Sequence, residues 1–186
     1  MEYTTLQILR AIKLCCTGAK FEFKGKYYLQ IFGMQMGSGL SSILANLFME
    51  FFETNMAHPV IDRFLLWKRY VDDAYAIIPR DANTEDLARE LSSIIPSINF
   101  TFEEEVTNTL PFLDVLVIND GDRLKFKIYR KETNNHLIIN KYSMHTNEAK
   151  NAALTAMYLR ALKIVSPEFL DAEFKIIEEI GTKTDF

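Results

Sequence analysis

The clearest hydrophobic pattern lies in residues 40–53, where apolar side chains recur at the spacing of one helix face. The apolar positions are Leu40, Ile43, Leu44, Leu47, Phe48, Phe51 and Phe52. The segment Gly37-Ser38-Gly39 precedes this stripe and offers flexible backbone with a hydroxyl that can cap a helix. The pattern therefore predicts an amphipathic helix that begins near residue 40.

Other segments carry shorter helical or strand patterns. The further predicted helices cover residues 4–16, 84–95 and 147–164. A last helix is predicted from Ser166-Pro167, a capping hydroxyl followed by proline at the first helical position. Alternation of Ile98, Phe100 and Phe102 with polar residues predicts a strand, and the aromatic segments beside Lys24-Gly25-Lys26 predict a hairpin.

Two more hairpins are predicted in the middle of the chain. Residues 112–118 and 124–128 flank Asn119-Asp120-Gly121-Asp122, where Asp-Gly suits a primed turn. Within the first of these strands, Asp114 is predicted to be a polar position on a strand face that finds a partner. The apolar segments on either side of Tyr70-Val71-Asp72-Asp73 predict two short strands joined by a tight Asp-Asp turn.

Composition indicates a folded protein of one domain, or of one domain with a small appendage. The 186 residues are 48% hydrophobic, which suffices for a core and argues against disorder. We find no apolar run of membrane-spanning length and no signal peptide. The adjacent Cys15 and Cys16 are predicted to be reduced, which fits an intracellular protein in the nucleus or the cytoplasm.

The distribution of charge changes what the net charge of -4 suggests about nucleic acid. Residues 81–122 carry ten acidic groups and one basic group, whereas residues 123–163 carry nine basic groups and two acidic groups. This basic stretch, residues 123–163, predicts a local positive field to which a polyanion can bind. A solvated protein face is the alternative interpretation.

Tyr70-Val71-Asp72-Asp73 is the motif that carries candidate chemistry. Two carboxylates at the tip of a hairpin provide hard oxygen ligands, which Mg²⁺ uses together with the phosphates of a substrate. In two-metal phosphoryl transfer, one ion activates the attacking hydroxyl and the other stabilises the leaving group. An ordinary turn is the alternative, because Asp favours turns through hydrogen bonds to nearby backbone. The three histidines have no ligand-like spacing, so no zinc site is predicted.

Several motifs, in order along the chain, resemble motifs B to E of reverse transcriptases, and those of Penelope-like retroelements in particular. The segments similar to motif B are Gln35-Met36-Gly37-Ser38, Leu40-Ser41 and Ala45-Asn46-Leu47. Trp67-Lys68-Arg69 followed by Tyr70-Val71-Asp72-Asp73 is similar to motif C. The segments that resemble later motifs are Phe100-Thr101-Phe102-Glu103, Leu110-Pro111-Phe112-Leu113-Asp114, Tyr129-Arg130-Lys131-Glu132-Thr133 and Ser143-Met144-His145. Several motifs that occur in the same order as in a family identify that family far more specifically than a single motif does.

The resemblance implies a role for individual residues. Asp72 and Asp73 would be the catalytic metal ligands of a site that holds two magnesium ions, or manganese in their place. The residues near the primer terminus, the incoming dNTP and the templating base would be Tyr70, Val71, Gln35, Gly37 and Ser38. Contacts to the phosphate backbone of an RNA or DNA template with its primer would come from Arg130, Lys131 and Lys141.

The implied fold is α+β, with a polymerase palm-like antiparallel sheet and the helices of residues 40–53 and 84–95 packed on one face. Residues 1–130 would form a partial palm, and residues 131–186 the connection to a partial thumb and its C-terminal helices. The 112–130 hairpin would extend the sheet or lead to the thumb. The implied function is RNA-directed DNA polymerase, and a catalytically dead relic that binds nucleic acid or protein is the alternative.

The sequence departs from this family at two points. Gly39 and Ser42 stand where Penelope-like enzymes usually carry prolines, which would loosen the start of the helix. A strand with the other metal-binding aspartate, motif A, should precede motif B, yet the only acidic residues before Gln35 are Glu2 and Glu22. We therefore expect this chain to be inactive by itself and the strand edge beside the Asp-Asp turn to be open to self-association.

Overall fold

A computed structural model describes residues 3–31, 33–35 and 37–183, so Glu2 and Met36 lie outside the described residues. Helices and small antiparallel sheets both contribute to the fold, and the chain is α+β as predicted. The chain divides into two compact units, Met1–Thr101 and Phe102–Phe186. The division at residue 130 follows from a family resemblance and stays a prediction.

The first unit combines helices with antiparallel hairpins. Its helices are α1 (Thr5–Cys16), α2 (Gly39–Phe51), α3 (His58–Ile61) and α4 (Thr84–Ile94). A π-helical turn, Phe52–Met56, joins α2 to α3. The strands pair in sequence as two hairpins, which are β1 (Lys20–Phe23) with β2 (Lys26–Leu29), and β3 (Leu66–Tyr70) with β4 (Asp73–Ile77).

The core of the first unit forms around Phe52, which is fully buried. The buried residues packed with it come from the N-cap of α3, from α3 itself and from α4, and are Ala57, Val60, Leu87 and Leu91. Trp67 of β3 packs against this core, and Phe100 stacks on Phe52 with 5.7 Å between ring centroids. Burial of one such side chain contributes about 1.5–3 kcal/mol, so this core fixes the base of the β3–β4 hairpin against the helices.

The predicted helix over residues 40–53 is present, but most of its apolar stripe is exposed. Ile43, Leu47, Phe48 and Phe51 are 47–56% exposed, whereas Phe52 is fully buried. Phe52, the first residue of the π-helical turn that follows α2, is instead packed against Ala57 and Val60 in the core. The described part of the first unit therefore leaves one apolar face of α2 uncovered.

The strand predicted from Ile98, Phe100 and Phe102 is wrong. The Ile98 N–H bonds to the Ile95 carbonyl at 3.0 Å, and the Phe100 N–H donates to Ser92 Oγ at 2.8 Å. The backbone donors of this segment are thus used by α4 and the residue that follows it instead of a neighbouring strand. The alternation of apolar and polar residues in this segment does not come from strand pairing. Its apolar residue Phe100 packs on the core of the first unit.

The second unit is a three-stranded antiparallel sheet with two long helices. Its elements are β5 (Thr109–Phe112), β6 (Val115–Asn119), β7 (Leu124–Ile128), α5 (Asn147–Ile164), a short 3-10 turn (Pro167–Phe169) and α6 (Leu170–Lys183). The predicted strand 112–118 is broken after Phe112, because Leu113 and Asp114 form a two-residue turn between Phe112 and Val115. Asp114 therefore lies in a turn, and its placement on a strand face was wrong.

The junction between α5 and α6 is attached to β7 through Ser166. The Phe126 N–H donates to Ser166 Oγ at 2.9 Å, and the Ser166 N–H donates to the Phe126 carbonyl at 2.9 Å. The hydroxyl predicted to cap the last helix therefore bonds to a strand instead. Because β5, β6 and β7 form a sheet of their own, the first of the two predicted courses of the 112–130 hairpin, extension of the β3–β4 sheet, is wrong. The second, a lead to a partial thumb, stays a prediction.

Candidate functional site

Val71 and Asp72 form a two-residue turn at the tip of the β3–β4 hairpin. Tyr70 lies opposite Asp73 in the register, so the turn is displaced by one residue from the Asp-Asp turn that the sequence predicted. Val71 has a φ of 56°, and a positive φ at only the first turn residue is typical of a type II′ turn. This conformation costs a β-branched residue about 1–2 kcal/mol. The tip of the hairpin thus holds local backbone strain.

The carboxylates of Asp72 and Asp73 are exposed at this tip. Among the residues that the structure describes, neither takes part in an ion pair or a side-chain hydrogen bond. Free carboxylates of this kind fit the preference of Mg²⁺ for one or two protein carboxylates combined with substrate phosphates. No third Asp, Glu, His or Cys joins them within the described residues. Tyr70 and Val71 immediately precede this pair in the sequence, and they are 62% and 49% exposed.

The turn between β5 and β6 provides an internal comparison. Leu113 has a φ of 53° and is followed by Asp114, just as Val71 is followed by Asp72. Here, however, Arg160 Nη1 donates to Asp114 Oδ2 at 2.8 Å, so the carboxylate is satisfied within the protein. The turn geometry is therefore no sign of a metal site, and the distinctive feature of the first turn is its free carboxylate pair.

A buried hydrogen-bond network holds the β3–β4 hairpin against the end of α2. Arg69 Nε donates to Glu53 Oε1 at 2.7 Å, and Trp67 Nε1 donates to the same oxygen at 3.0 Å. The Arg69 and Glu53 side chains are only 13% and 18% exposed. Arg69 Nη1 also donates to the Val71 carbonyl at 2.8 Å, so the network reaches the turn itself. No sequence motif predicted this network, although a half-buried indole N–H requires an acceptor.

Arg69 also connects the turn to the helix that begins at the predicted nucleotide-binding segment. Its Nη1 donates to Asn46 Oδ1 on α2 at 3.2 Å. Ser38 is the N-cap of α2 and accepts a hydrogen bond from the Leu40 N–H at 3.3 Å. Eight residues separate Ser38 from Asn46, which corresponds to about 12 Å along a helix. The α2 helix and Arg69 therefore connect the segment around Ser38 to the Val71–Asp72 turn.

The loop before α2 is folded back onto the helix start. Ser41 Oγ donates to the Gln35 carbonyl at 2.6 Å, which fixes the backbone of Gln35 while its side chain stays exposed. Gly37 has a φ of 85°, and a Cβ added there would meet no atom within 4 Å. The glycine is thus required for its backbone conformation rather than by close packing within the described protein. Gly39 is the first residue of α2, so the helix begins without the proline of the resembled family.

The predicted backbone-binding cations lie in the second unit, and the structure uses one of them internally. Arg130 forms a bidentate pair with Glu173, in which Nη1 donates to Oε2 at 3.0 Å and Nη2 bonds to Oε1. These side chains are 17% and 7% exposed, so the guanidinium is directed into the protein. Lys131 and Lys141 are exposed, and the Lys141 carbonyl accepts from Lys150 Nζ at 2.6 Å.

Acidic residues outside the basic stretch neutralise much of its charge. Four of its nine cations form ion pairs with such residues, and the pairs are Arg123 and Lys125 with Glu168, Lys125 with Asp120, Arg130 with Glu173 and Arg160 with Asp114. The hydrogen bond and charge of Lys125 lower the pKa of Asp120. A hydrogen bond from its own backbone N–H, assisted by Lys125, lowers the pKa of Glu168. The local positive field is therefore smaller than the sequence alone suggested.

Comparisons with known proteins leave the family of the chain open. A scan against protein-family models, a search of curated proteins and a search of solved structures each found no match to this chain. Among the described helices, none combines the length and the apolar composition that crossing a membrane requires. Any function assigned to the chain must therefore be argued from its own residues.

Proposed function

We propose that this chain is part of the palm of an RNA-directed DNA polymerase similar to those of Penelope-like retroelements, with Asp72 and Asp73 as ligands of magnesium. The observation that carries the proposal is the pair of exposed carboxylates without internal partners at the tip of the β3–β4 hairpin. Arg69 is the cation next to this turn in the sequence, yet its guanidinium bonds to Glu53 and not to Asp72 or Asp73. The carboxylates stay available for a cation from solution.

The rigidity of the turn supports this role. Arg69 holds the Val71 carbonyl, and Val71 itself is in a conformation that the surrounding structure must enforce. Leu113 has the same conformation in the β5–β6 turn, so this strain does not by itself mark a functional site, but here it limits the motion of the adjacent carboxylates. In the proposed site, the strain of the turn keeps the two carboxylates at a fixed position relative to α2.

The start of α2 supplies the second half of the proposed site. Gln35 and Ser38 lie beside the helix N-terminus, and the hydrogen bond between Arg69 and Asn46 couples the same helix to the carboxylate turn. In this proposal, Asp72 and Asp73 would hold the divalent ions that coordinate the nucleotide phosphates, while Gln35, Gly37 and Ser38 would contact the nucleotide and the template base. Bound divalent ions would supply activation of the primer 3′ hydroxyl and stabilisation of the departing pyrophosphate.

The test is a titration with MgCl₂ or MnCl₂, followed by calorimetry and by paramagnetic broadening of amide signals from residues 70–73. We expect weak binding that Asp72→Asn and Asp73→Asn abolish. Asp122→Asn is the matched control, since Asp122 is an exposed hairpin carboxylate of the second unit without an ion pair in the described residues. Equal Mn²⁺ broadening in wild type and Asp72→Asn would refute the proposal.

The alternative, a catalytically dead relic that binds nucleic acid or protein, predicts a different combination of results. A relic can retain both the metal-binding carboxylates and a surface that binds nucleic acid, but its nucleic-acid binding does not depend on the metal. Binding of template–primer without any effect of Mg²⁺ or of Asp72→Asn would therefore favour the relic.

A further inference from the structure

The β1–β2 hairpin presents one face of aromatic and basic side chains. In an antiparallel pair, directly opposed residues share a face, and the register opposes Phe21 to Tyr28 and Phe23 to Lys26. We refer to Phe21, Phe23, Lys26 and Tyr28 as the aromatic face. The rings of Phe21 and Tyr28 stack with 5.4 Å between centroids and 16° between planes. The face is thus an ordered surface rather than a set of independent side chains.

The aromatic face is open to solvent within the described part of the chain. Phe21 and Phe23 are 52% and 57% exposed, and Tyr28 is 43% exposed. Exposed aromatic rings at this density are uncommon on a folded protein and indicate a surface that has a partner. The rings contribute flat apolar area of the kind on which a second planar group can stack.

Charge on the hairpin is divided between its two faces. Lys26 belongs to the aromatic face, and Lys24 extends from the turn so that its Nζ lies 5.4 Å from the centroid of the Phe23 ring. Neither lysine takes part in an ion pair among the described residues. The one acidic residue of the hairpin, Glu22, opposes Tyr27 on the other face. The aromatic face is therefore purely cationic, which favours an anionic partner.

The turn fixes this arrangement before any partner binds. Lys24 and Gly25 have φ values of 50° and 72°, and two successive positive φ values are typical of a type I′ turn. Such a turn matches the twist of the strands that it joins, so the position of Lys24 beside the ring follows from the backbone. A preformed surface loses less conformational entropy on binding.

We propose that the aromatic face binds single-stranded nucleic acid, with bases stacked on Phe21, Phe23 and Tyr28 and with phosphates contacted by Lys24 and Lys26. Aromatic platforms beside basic groups are the usual means of holding single strands without reading their sequence. A purely apolar protein partner would leave the two lysines desolvated without partners, which the charge of this face disfavours. The inference stands on the hairpin alone and needs neither a metal nor the Asp72 site.

The test is the anisotropy of a labelled oligothymidylate of about 12 nucleotides, titrated with the full chain in EDTA. We expect Phe23→Leu to weaken binding by about tenfold. Tyr27→Leu is the matched control, because it removes an aromatic ring from the opposite face of the same hairpin, and we expect it to leave the affinity unchanged. Far-UV circular dichroism and amide signals of β1 and β2 verify that both variants keep the hairpin.

The salt dependence provides a second measurement of the same site. Each phosphate contact contributes about 0.7 to the slope of log K against log salt for a single strand, so Lys24→Gln with Lys26→Gln should lower the slope by about 1.4. No binding of the wild type, equal binding of duplex, or equal losses from Phe23→Leu and Tyr27→Leu would each overturn the inference. Asp72→Asn should bind the oligonucleotide as the wild type does, so failure of the metal proposal leaves this result unaffected.

Discussion

Arg69 and Glu53 form the central polar contact of the first unit, with 2.7 Å between Nε and Oε1. Glu53 lies in the π-helical turn after α2, and Arg69 lies in β3, one residue before Tyr70. The same carboxylate accepts from Trp67, and the same guanidinium donates to Asn46 and Val71. One ion pair therefore holds the hairpin, its turn and the α2 helix in a fixed relation.

We expect Glu53→Ala to lower the free energy of unfolding by about 2–4 kcal/mol, because it leaves Arg69 Nε and the Trp67 N–H without their acceptor and the largely buried guanidinium without its counter-charge. Urea unfolding monitored by Trp67 fluorescence measures the loss. The matched control is Glu90→Ala, which removes an ion pair to Arg63 in which both side chains are about half exposed. An exposed pair contributes about 0–1 kcal/mol, so similar losses for both variants would contradict the role of the network.

Val71→Gly is expected to increase the free energy of unfolding by up to about 1 kcal/mol. Glycine removes the steric cost of a positive φ at a β-branched residue, and this gain exceeds its added entropy in the unfolded chain. The control is Ala74→Gly in β4, which should cost about 0.5–1 kcal/mol because its φ is not positive. A lower stability for Val71→Gly than for wild type would mean that the turn holds no strain.

Acid should weaken the second unit through Asp120 and Glu168. Both pKa values are lowered in the folded protein from ordinary values of 3.8 and 4.5. A lowered carboxyl pKa stabilises the fold at pH values above the unfolded pKa, and this contribution is lost as the pH falls through the folded pKa. We therefore expect the melting temperature to fall from about pH 4.5 downward, and Asp120→Asn with Glu168→Gln to flatten the profile. Asp122→Asn, outside these pairs, should leave the profile steep.

Lys125 should act at the opposite end of the pH scale. Hydrogen bonds from its ammonium to Asp120 and then Glu168 raise its pKa above 10.5. A raised lysine pKa stabilises the fold at all pH values below the unfolded pKa and is lost as the pH rises through the folded pKa. We therefore expect the melting temperature to fall as the pH rises above about 10.5, and Lys125→Met to remove this decline, with thermal unfolding at alkaline pH as the measurement.

The Arg130–Glu173 pair is expected to contribute to structure rather than to phosphate binding. Glu173→Leu alone should destabilise the protein by about 3–5 kcal/mol, since it leaves a buried guanidinium unpaired. Arg130→Met combined with Glu173→Leu should be close to wild-type stability, because well-packed apolar residues replace a buried ion pair without loss. If the double variant binds template–primer as the wild type does, Arg130 has no contact with phosphate. A loss of several-fold would restore its predicted role.

The chain of 186 residues by itself is expected not to extend a primer. Two-metal transfer needs a further carboxylate beside Asp72 and Asp73, and Glu22, the one described acidic residue ahead of Gln35, lies in β1. Incubation with template–primer, dNTPs and Mg²⁺ tests this, with an unrelated polymerase as the control for the substrates. Template-dependent incorporation that Asp72→Asn abolishes would show that the chain carries the whole active site.

Elements with strong local signals were predictable from the sequence. The helices over residues 84–95 and 147–164 and the strands beside Tyr70-Val71-Asp72-Asp73 follow from periodicity and turn residues, which depend on neighbours within one or two turns. Contacts between distant residues were not predictable. Ser166 bonds to Phe126 across 40 residues, and Arg130 bonds to Glu173 across 43 residues.

The candidate site was predictable only in part, for the same reason. The acidic turn and the glycine-rich segment before α2 are visible as motifs, and the structure links them through Arg69. Whether a carboxylate stays free depends on cations that arrive from elsewhere in the chain. The basic stretch is an example. Four of its cations form ion pairs with acidic residues outside the stretch, and these pairs cannot be read from the positions of the charges along the sequence.

The contact between Arg160 and Asp114 distinguishes two otherwise similar turns. The Arg160 guanidinium donates a hydrogen bond to Asp114 at the β5–β6 turn, whereas Asp72 at the β3–β4 turn has no side-chain partner among the described residues. Two turns of the same length, each with a positive φ at the first residue, therefore differ in whether their aspartate is paired, and a distant arginine makes the difference. Arg160→Ala would leave the Asp114 carboxylate unpaired, as Asp72 is. Binding of a divalent ion by this variant would then show that loss of one arginine is enough to make such a turn bind metal.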